Sequence, residues 1–113
     1  DGESFRDFVY VKDCVNVLYW LLEHPEANGI LNIGSGKART WNDLANSVYS
    51  AMDKIPDINY IDMPAELKGR YQYYTQADMA WLERLGCDIQ FHSLEDGVSD
   101  YIKNYLMNPD PYL

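Results

Sequence analysis

Positive charge is scarce in this chain. Its 113 residues hold nine Lys and Arg against 18 Asp and Glu, for a formal net charge of −9. A surface for nucleic acid or an anionic membrane needs a basic footprint, so neither partner is expected. Long apolar runs are also missing, since none approaches the ~20 residues that span a bilayer. There is no signal-peptide pattern, and the expected location is cytoplasmic. Cysteine occurs only as Cys14 and Cys87, which gives neither a metal-site spacing nor a disulfide framework. Cys14 lies on an apolar helical stripe and reads as a small buried hydrophobe. His24 and His92 stand far apart with no cysteine cluster or Glu-x-x-His beside them, so no metal is expected. There is no Gly-x-Ser-x-Gly elbow. No nucleophile and base stand at a recognisable spacing, so the chain offers no catalytic residue of its own.

What remains is ordinary globular material, 47% hydrophobic and 24% charged, with ten tyrosines. A chain of this length buries roughly 65% of its unfolded surface and can carry one core. Runs at 8–11, 29–34 and 58–63 read as short strands. Asp13 is placed to cap a helix whose stripe is Val17, Leu18, Leu21 and Leu22, with Pro25 just past its end. Thr40 to Asp43 has capping-box spacing. It opens a helix with Trp41, Leu44, Ala45, Val48, Tyr49 and Met52 on one side. Thr75 to Asp78 repeats the spacing before a short helix that Gly86 can end. Ser93 starts a last helix with Leu94, Val98, Tyr101, Ile102, Tyr105 and Leu106 on its apolar face, and Asn108-Pro109 ends it. The expected fold is a small α/β unit of about three short strands and four helices. So thin a sheet would pack better against a larger domain than alone. The chain starts at Asp1 without methionine and soon enters a strand-like run, so a piece of a longer protein is expected.

Gly34-Ser35-Gly36-Lys37 looks at first like a phosphate loop. Leu31 stands where a P-loop needs its first glycine, and Ala38 where it needs Ser or Thr. A dinucleotide fingerprint would need glycine at Arg39. The glycines read as a turn from strand to helix. Two other features suggest an anion. In Leu67 to Asp78, Lys68, Arg70, Tyr71, Tyr73 and Tyr74 gather around Gly69, a place to hold an anion with a flat ring or else a surface loop with solvated cations. Arg6, at a strand entrance, suits a two-pronged diphosphate clamp, or else a surface ion pair with Asp7.

Taken together, these segments resemble a family. Arg6-Asp7-Phe8-Val9-Tyr10-Val11-Lys12-Asp13 resembles the Arg-Asp-aromatic-aliphatic-x-Val-x-Asp motif of extended short-chain dehydrogenase/reductases that act on nucleotide sugars. Gly29 to Gly36, followed by Thr40-Trp41-Asn42-Asp43-Leu44-Ala45, resembles the next landmark at the right separation, with Leu31 where an aromatic is usual. Leu67 to Gln72 with Thr75 to Asp78 is similar to the C-terminal part of the ADP-glycero-manno-heptose 6-epimerases. The resemblance implies that residues 1–113 form a C-terminal substrate-binding domain. The N-terminal dinucleotide-binding (Rossmann) domain would lie outside the chain, along with the Tyr-x-x-x-Lys pair and the upstream Ser or Thr. It implies NADP as the cofactor of the intact enzyme, an ADP-sugar as substrate, the missing Rossmann domain as partner, and a homo-oligomer when intact. Arg6 matches the arginine that contacts the diphosphate and Tyr71 a tyrosine near the substrate phosphates, with Arg70 a further candidate for the same anion. No cofactor-binding or catalytic residue is implied within the chain, and the fragment alone is expected to be inactive. Two other readings stay open: another nucleotide-sugar epimerase or dehydratase with this C-terminal architecture, and a stand-alone nucleotide-sugar-binding module.

Overall fold

A computed structural model describes residues 1–111. Strand β1 (Phe5–Arg6) pairs antiparallel with β2 (Arg39–Thr40), Phe5 opposite Thr40 and Arg6 opposite Arg39. On its other side Phe5 bridges Tyr74 in parallel. Its N–H donates to the Tyr73 carbonyl at 2.8 Å, and its carbonyl accepts from Thr75 N at 3.2 Å. β1 is therefore the middle of the sheet, and every later feature of the site hangs from it.

The α/β class and the four helices agree with the sequence reading, but the strands do not. The runs at 8–11, 29–34 and 58–63 form no ladder with any described segment. Their apolar content is real. A strand, however, exists only with a neighbour to take up its N–H and C=O groups, and none lies alongside. Ile30 and Ile61 are accordingly 98% and 87% exposed.

Helix α1 (Val11–Glu23) starts earlier than expected, with Tyr10 rather than Asp13 at its N-cap. Asp13 falls in the first turn and points inward. Its buried carboxylate accepts the His92 backbone N–H at 2.9 Å and meets His92 Nδ1 at 2.6 Å. The buried stripe is thus Asp13, Val17 and Trp20, while Leu18 and Leu22 face outward, against expectation. Residues at i, i+4 and i+7 share one helical face, and the inward carboxylate fixes which face that is. Cys14 is half-buried rather than core. Burial, then the neighbouring Asp13 charge, pushes its thiol pKa up, which makes it unreactive.

Helix α2 (Trp41–Ala51) has the capping box that its spacing predicts. Asp43 N donates to Thr40 Oγ1, and Thr40 N to Asp43 Oδ2, both at 3.0 Å. It packs chiefly on α4 (Leu94–Tyr101), which Ser93 caps through Asp96 N at 3.1 Å. The chain then continues as a π-helical turn, Ile102–Leu106. Ser47 and Ala51 are the buried residues of α2. Its expected apolar face stays partly open, with Trp41 and Met52 exposed. Gly97 is buried under Tyr10, where a Cβ would come within 3.1 Å of Tyr10 Cβ. Helix α3 (Ala80–Arg84) begins beyond the expected Thr75–Asp78 cap. Asp78 instead accepts from Ala80 N through Oδ1 at 3.0 Å. Gly86 ends it as expected, at φ +87° with its N–H on the Glu83 carbonyl at 2.9 Å.

Two polar ties hold the helices in place. Arg39 bridges Asp43 at 3.1 Å and Glu95 at 2.7 Å, joining the starts of α2 and α4. Its hydrogen bonds hold both carboxyls below their ordinary range. Asp100 accepts from Tyr10 and, at 2.7 Å each, from Lys12 and Asn104. Burial, then the bond to Asp100, pushes the Tyr10 phenol up to about 12.

The assembly is a plate, 48 × 41 × 19 Å, with a Cα radius of gyration of 16.7 Å. A compact chain of this length would measure about 13 Å. The buried apolar residues among those described are Val17, Trp20, Ala51, Leu82 and Ile102. No helix among the described residues is long and apolar enough to cross a membrane.

Candidate functional site

The site is built on β1. Arg6 Nη1 donates to the Phe5 carbonyl at 2.6 Å, and Nη2 donates to the Gln72 carbonyl. The guanidinium carbon lies over the Tyr71 ring, 5.0 Å from its centre. A guanidinium has five N–H groups, so these two bonds leave three for a ligand. Tyr71 meets Tyr73 edge-on at 5.5 Å, and its hydroxyl accepts from Trp41 Nε1 at 3.2 Å. Trp41 in turn sits edge-on to Phe8 at 5.1 Å. A cation thus sits beside a group of aromatic rings, a surface suited to an anion that carries a flat or ring-shaped part.

The local sequence explains how the 64–75 segment reaches Arg6. After Pro64 the chain makes a 3₁₀ turn, Ala65–Leu67. Gly69 follows at φ +80° with nothing within 4 Å of a notional Cβ, so the backbone conformation and not crowding calls for glycine. Arg70 N and Tyr71 N both return to the Leu67 carbonyl at 3.1 Å. The chain can then run parallel to β1, with Tyr73 and Thr75 bonded to Phe5.

The structure therefore joins two of the three expected site residues, Arg6 and Tyr71. Arg70 is exposed one position earlier, and among the described residues its guanidinium makes no ion pair or side-chain hydrogen bond. Lys68 is exposed on the same turn. Arg6 makes no ion pair with Asp7.

Asp7 faces the other way and holds three segments at once. Its Oδ1 accepts from Ser35 N at 2.7 Å and from Ser35 Oγ at 2.6 Å. Its Oδ2 accepts from Gly36 N and Ala77 N, each at 3.0 Å. Burial pushes the carboxyl upward, but these bonds outweigh it, led by the Ser35 hydroxyl, and the net pKa is lowered. The reason Gly34-Ser35-Gly36 is no phosphate loop is now visible. Its amides, which would receive a phosphate in such a loop, are taken by the chain's own carboxylate. Gln76 fastens the same joint, its Oε1 accepting from Ala38 N at 3.2 Å and from the Tyr74 hydroxyl at 2.6 Å.

Gly34 is buried in this joint, where a Cβ would lie 2.5 Å from Ala77 Cβ and 2.6 Å from Asp7 Oδ2. Neither neighbour can retreat without breaking the Asp7 bonds. Gly34→Ala is expected to cost about 2 kcal/mol of stability. Urea denaturation followed by tryptophan fluorescence checks this, and an unchanged midpoint would refute it.

Sequence reading missed the roles of Asp7, the Asp13–His92 pair and Trp41. Asp7 stood in a quoted motif, but its partners lie 28 to 70 positions away, and no local spacing announces them. Trp41 registered as part of a helix face and of a motif, with no contact to Tyr71 foreseen.

The first third of the chain, residues 1–34, matches the model of the NAD dependent epimerase/dehydratase family. That stretch contains Arg6, Asp7 and Gly34. A curated protein of Nitratidesulfovibrio vulgaris, named ADP-L-glycero-D-manno-heptose-6-epimerase, is 55% identical over 113 residues, covering 100% of this chain. Over its whole length the chain is similar to this protein. Proteins with the same name from Fusobacterium nucleatum and Alkalilimnicola ehrlichii are 46% and 51% identical to this chain, over 100% and 90% of its length. It spans about a third of the length of these relatives, 35%, 36% and 32% in turn.

Proposed function

We propose that this chain is the C-terminal substrate-binding domain of an NADP-dependent nucleotide-sugar epimerase of the extended short-chain dehydrogenase/reductase type. The intact enzyme would interconvert ADP-D-glycero- and ADP-L-glycero-D-manno-heptose by transient oxidation at C6. The observation that carries this reading is the meeting of Arg6 and Tyr71. A cation with three unused N–H groups and a phenol fixed by an indole lie together on a chain that is acidic elsewhere. The names of the relatives supply the sugar and the nucleotide.

In this reading the domain binds and orients. Arg6 takes the diphosphate through parallel hydrogen bonds, and Tyr71 donates its hydroxyl proton to the same anion. Energy from these contacts holds the sugar's reacting carbon at the place where chemistry occurs. NADP, when bound, supplies the hydride acceptor and donor. The residues present do not fit its pyrophosphate, because the Ser35 and Gly36 amides are spent on Asp7. The dinucleotide domain and the acid–base pair are assigned to the remaining two thirds of the protein.

The test is turnover of the full-length protein with ADP-, UDP- and GDP-sugars side by side. Marked preference for the ADP-heptose is expected. Equal or better turnover of a UDP- or GDP-sugar would move the protein to a different epimerase or dehydratase of the same architecture.

A further inference from the structure

We infer that Trp41 is a positioning residue that aims the Tyr71 hydroxyl proton at the ligand's anion. The inference rests on the reading of Arg6 and Tyr71 as anion contacts. Indole nitrogen can only donate, so in the 3.2 Å contact between Trp41 Nε1 and Tyr71 Oη the phenol oxygen must accept. That leaves the single phenol proton to point elsewhere, and among the described residues nothing takes it. A free phenol swings its O–H between two in-plane directions. With a lone pair engaged by the indole, the proton is committed to the outer side. Tyr71 then meets an anion as a ready donor and loses little freedom on binding, a case of pre-organisation.

Two anchors hold Trp41 so that it can do this, and two more hold Tyr71. It is the first residue of α2, directly after the Thr40–Asp43 capping box that fixes the start of the helix. Its ring is braced edge-on by Phe8, 5.1 Å away. The Tyr71 ring is held by Arg6 at 5.0 Å and by Tyr73, edge-on at 5.5 Å. Donor, acceptor and cation therefore belong to three separate segments that converge at one point. Only the N–H of position 41 is needed for the orienting effect, and its ring serves packing.

The test uses the full-length protein with ADP as the probe, measured by titration calorimetry. Trp41→Phe keeps a ring against Phe8 and removes the donor. The affinity for ADP should fall about three- to tenfold, the value of one ordinary hydrogen bond. KM for the sugar nucleotide should rise by the same factor, with kcat within twofold. In a Tyr71→Phe background the Trp41→Phe change should do nothing further. An equal loss in both backgrounds would mean that Trp41 acts through packing, and would overturn the inference. Should Trp41→Phe fold poorly, benzothienylalanine at position 41 keeps the shape and replaces the N–H with sulfur, and the same numbers apply. If Arg6→Ala and Tyr71→Phe leave ADP affinity unchanged, the site reading itself fails. If those two weaken ADP binding and Trp41→Phe does not, only the role of Trp41 fails.

Discussion

Asp7→Asn is expected to lower the stability of the protein by about 3 kcal/mol, close to the loss of two charge-assisted hydrogen bonds. The wild-type carboxylate accepts from four donors on two separate segments. An amide offers one oxygen, and its NH₂ group would face donors that need an acceptor. At least two of the four bonds are lost, and their N–H groups stay in a half-buried joint where water replaces the carboxylate poorly. The dependence on pH follows from the direction of the shift. Asp7 has a lowered pKa in the folded chain, so its ionised form is favoured by folding. That contribution is fully present above the unfolded value near pH 4 and disappears as pH falls through the folded value. The gap between wild type and variant should therefore be constant near neutrality and narrow below about pH 4. Asp43, Glu95 and Asp100 are lowered as well, but both proteins keep them and they cancel in the difference. Urea titrations at pH 7 and pH 3.5 give both numbers. A gap that widens in acid would reverse the assignment.

Arg6→Ala should have the largest effect on activity, a loss of roughly 100-fold in kcat/KM for the ADP-sugar in the full-length protein, or about 3 kcal/mol. Two losses combine. The anion loses its guanidinium, and the Gln72 carbonyl loses the donor that holds the 64–75 segment against β1. Arg6→Lys should recover little of it. One ammonium cannot serve two carbonyls and an anion in the planar arrangement that the guanidinium adopts. NADP affinity should not change, since this region makes no dinucleotide cradle. Steady-state kinetics with a parallel NADP titration separates the cases. A kcat/KM within twofold of wild type, or a loss that tracks weaker NADP binding, would remove Arg6 from the substrate site.

Legibility in the sequence followed the range of each interaction. The capping box at Thr40, the Ser93 cap and the Gly86 helix end involve partners within four positions, and spacing alone revealed them. Arg6 and Tyr71 were singled out as candidates by residue type and by motif resemblance, and neither could have shown that they touch. The strands failed because an apolar run specifies burial and not a partner. Residues 29–34 and 58–63 have the composition of strands and, among the described residues, no neighbour to pair with. The inward turn of Asp13 was hidden for a related reason, because its ligand His92 lies 79 positions on. With it went the true face of α1, since Leu18 and Leu22 look like core until the position of Asp13 is known.

The plate shape has a colloidal consequence. A compact protein of 13.1 kDa exposes about 6,400 Å², while this chain exposes 8313 Å². The surplus of roughly 1,900 Å² exceeds one side of a standard protein–protein interface, about 800 Å². Part of it is apolar, with Leu22, Ile30, Ile55 and Ile61 each at least 80% exposed, and the unpaired backbone beside Ile30 and Ile61 adds open edges. Surfaces of this kind promote adhesion between copies. The charge of −9 acts against it, because every plate repels every other over about a Debye length. For this chain taken by itself, the acidity that makes the Arg6 site conspicuous also opposes contact between the flat faces, and added salt would weaken that repulsion while leaving the apolar attraction in place.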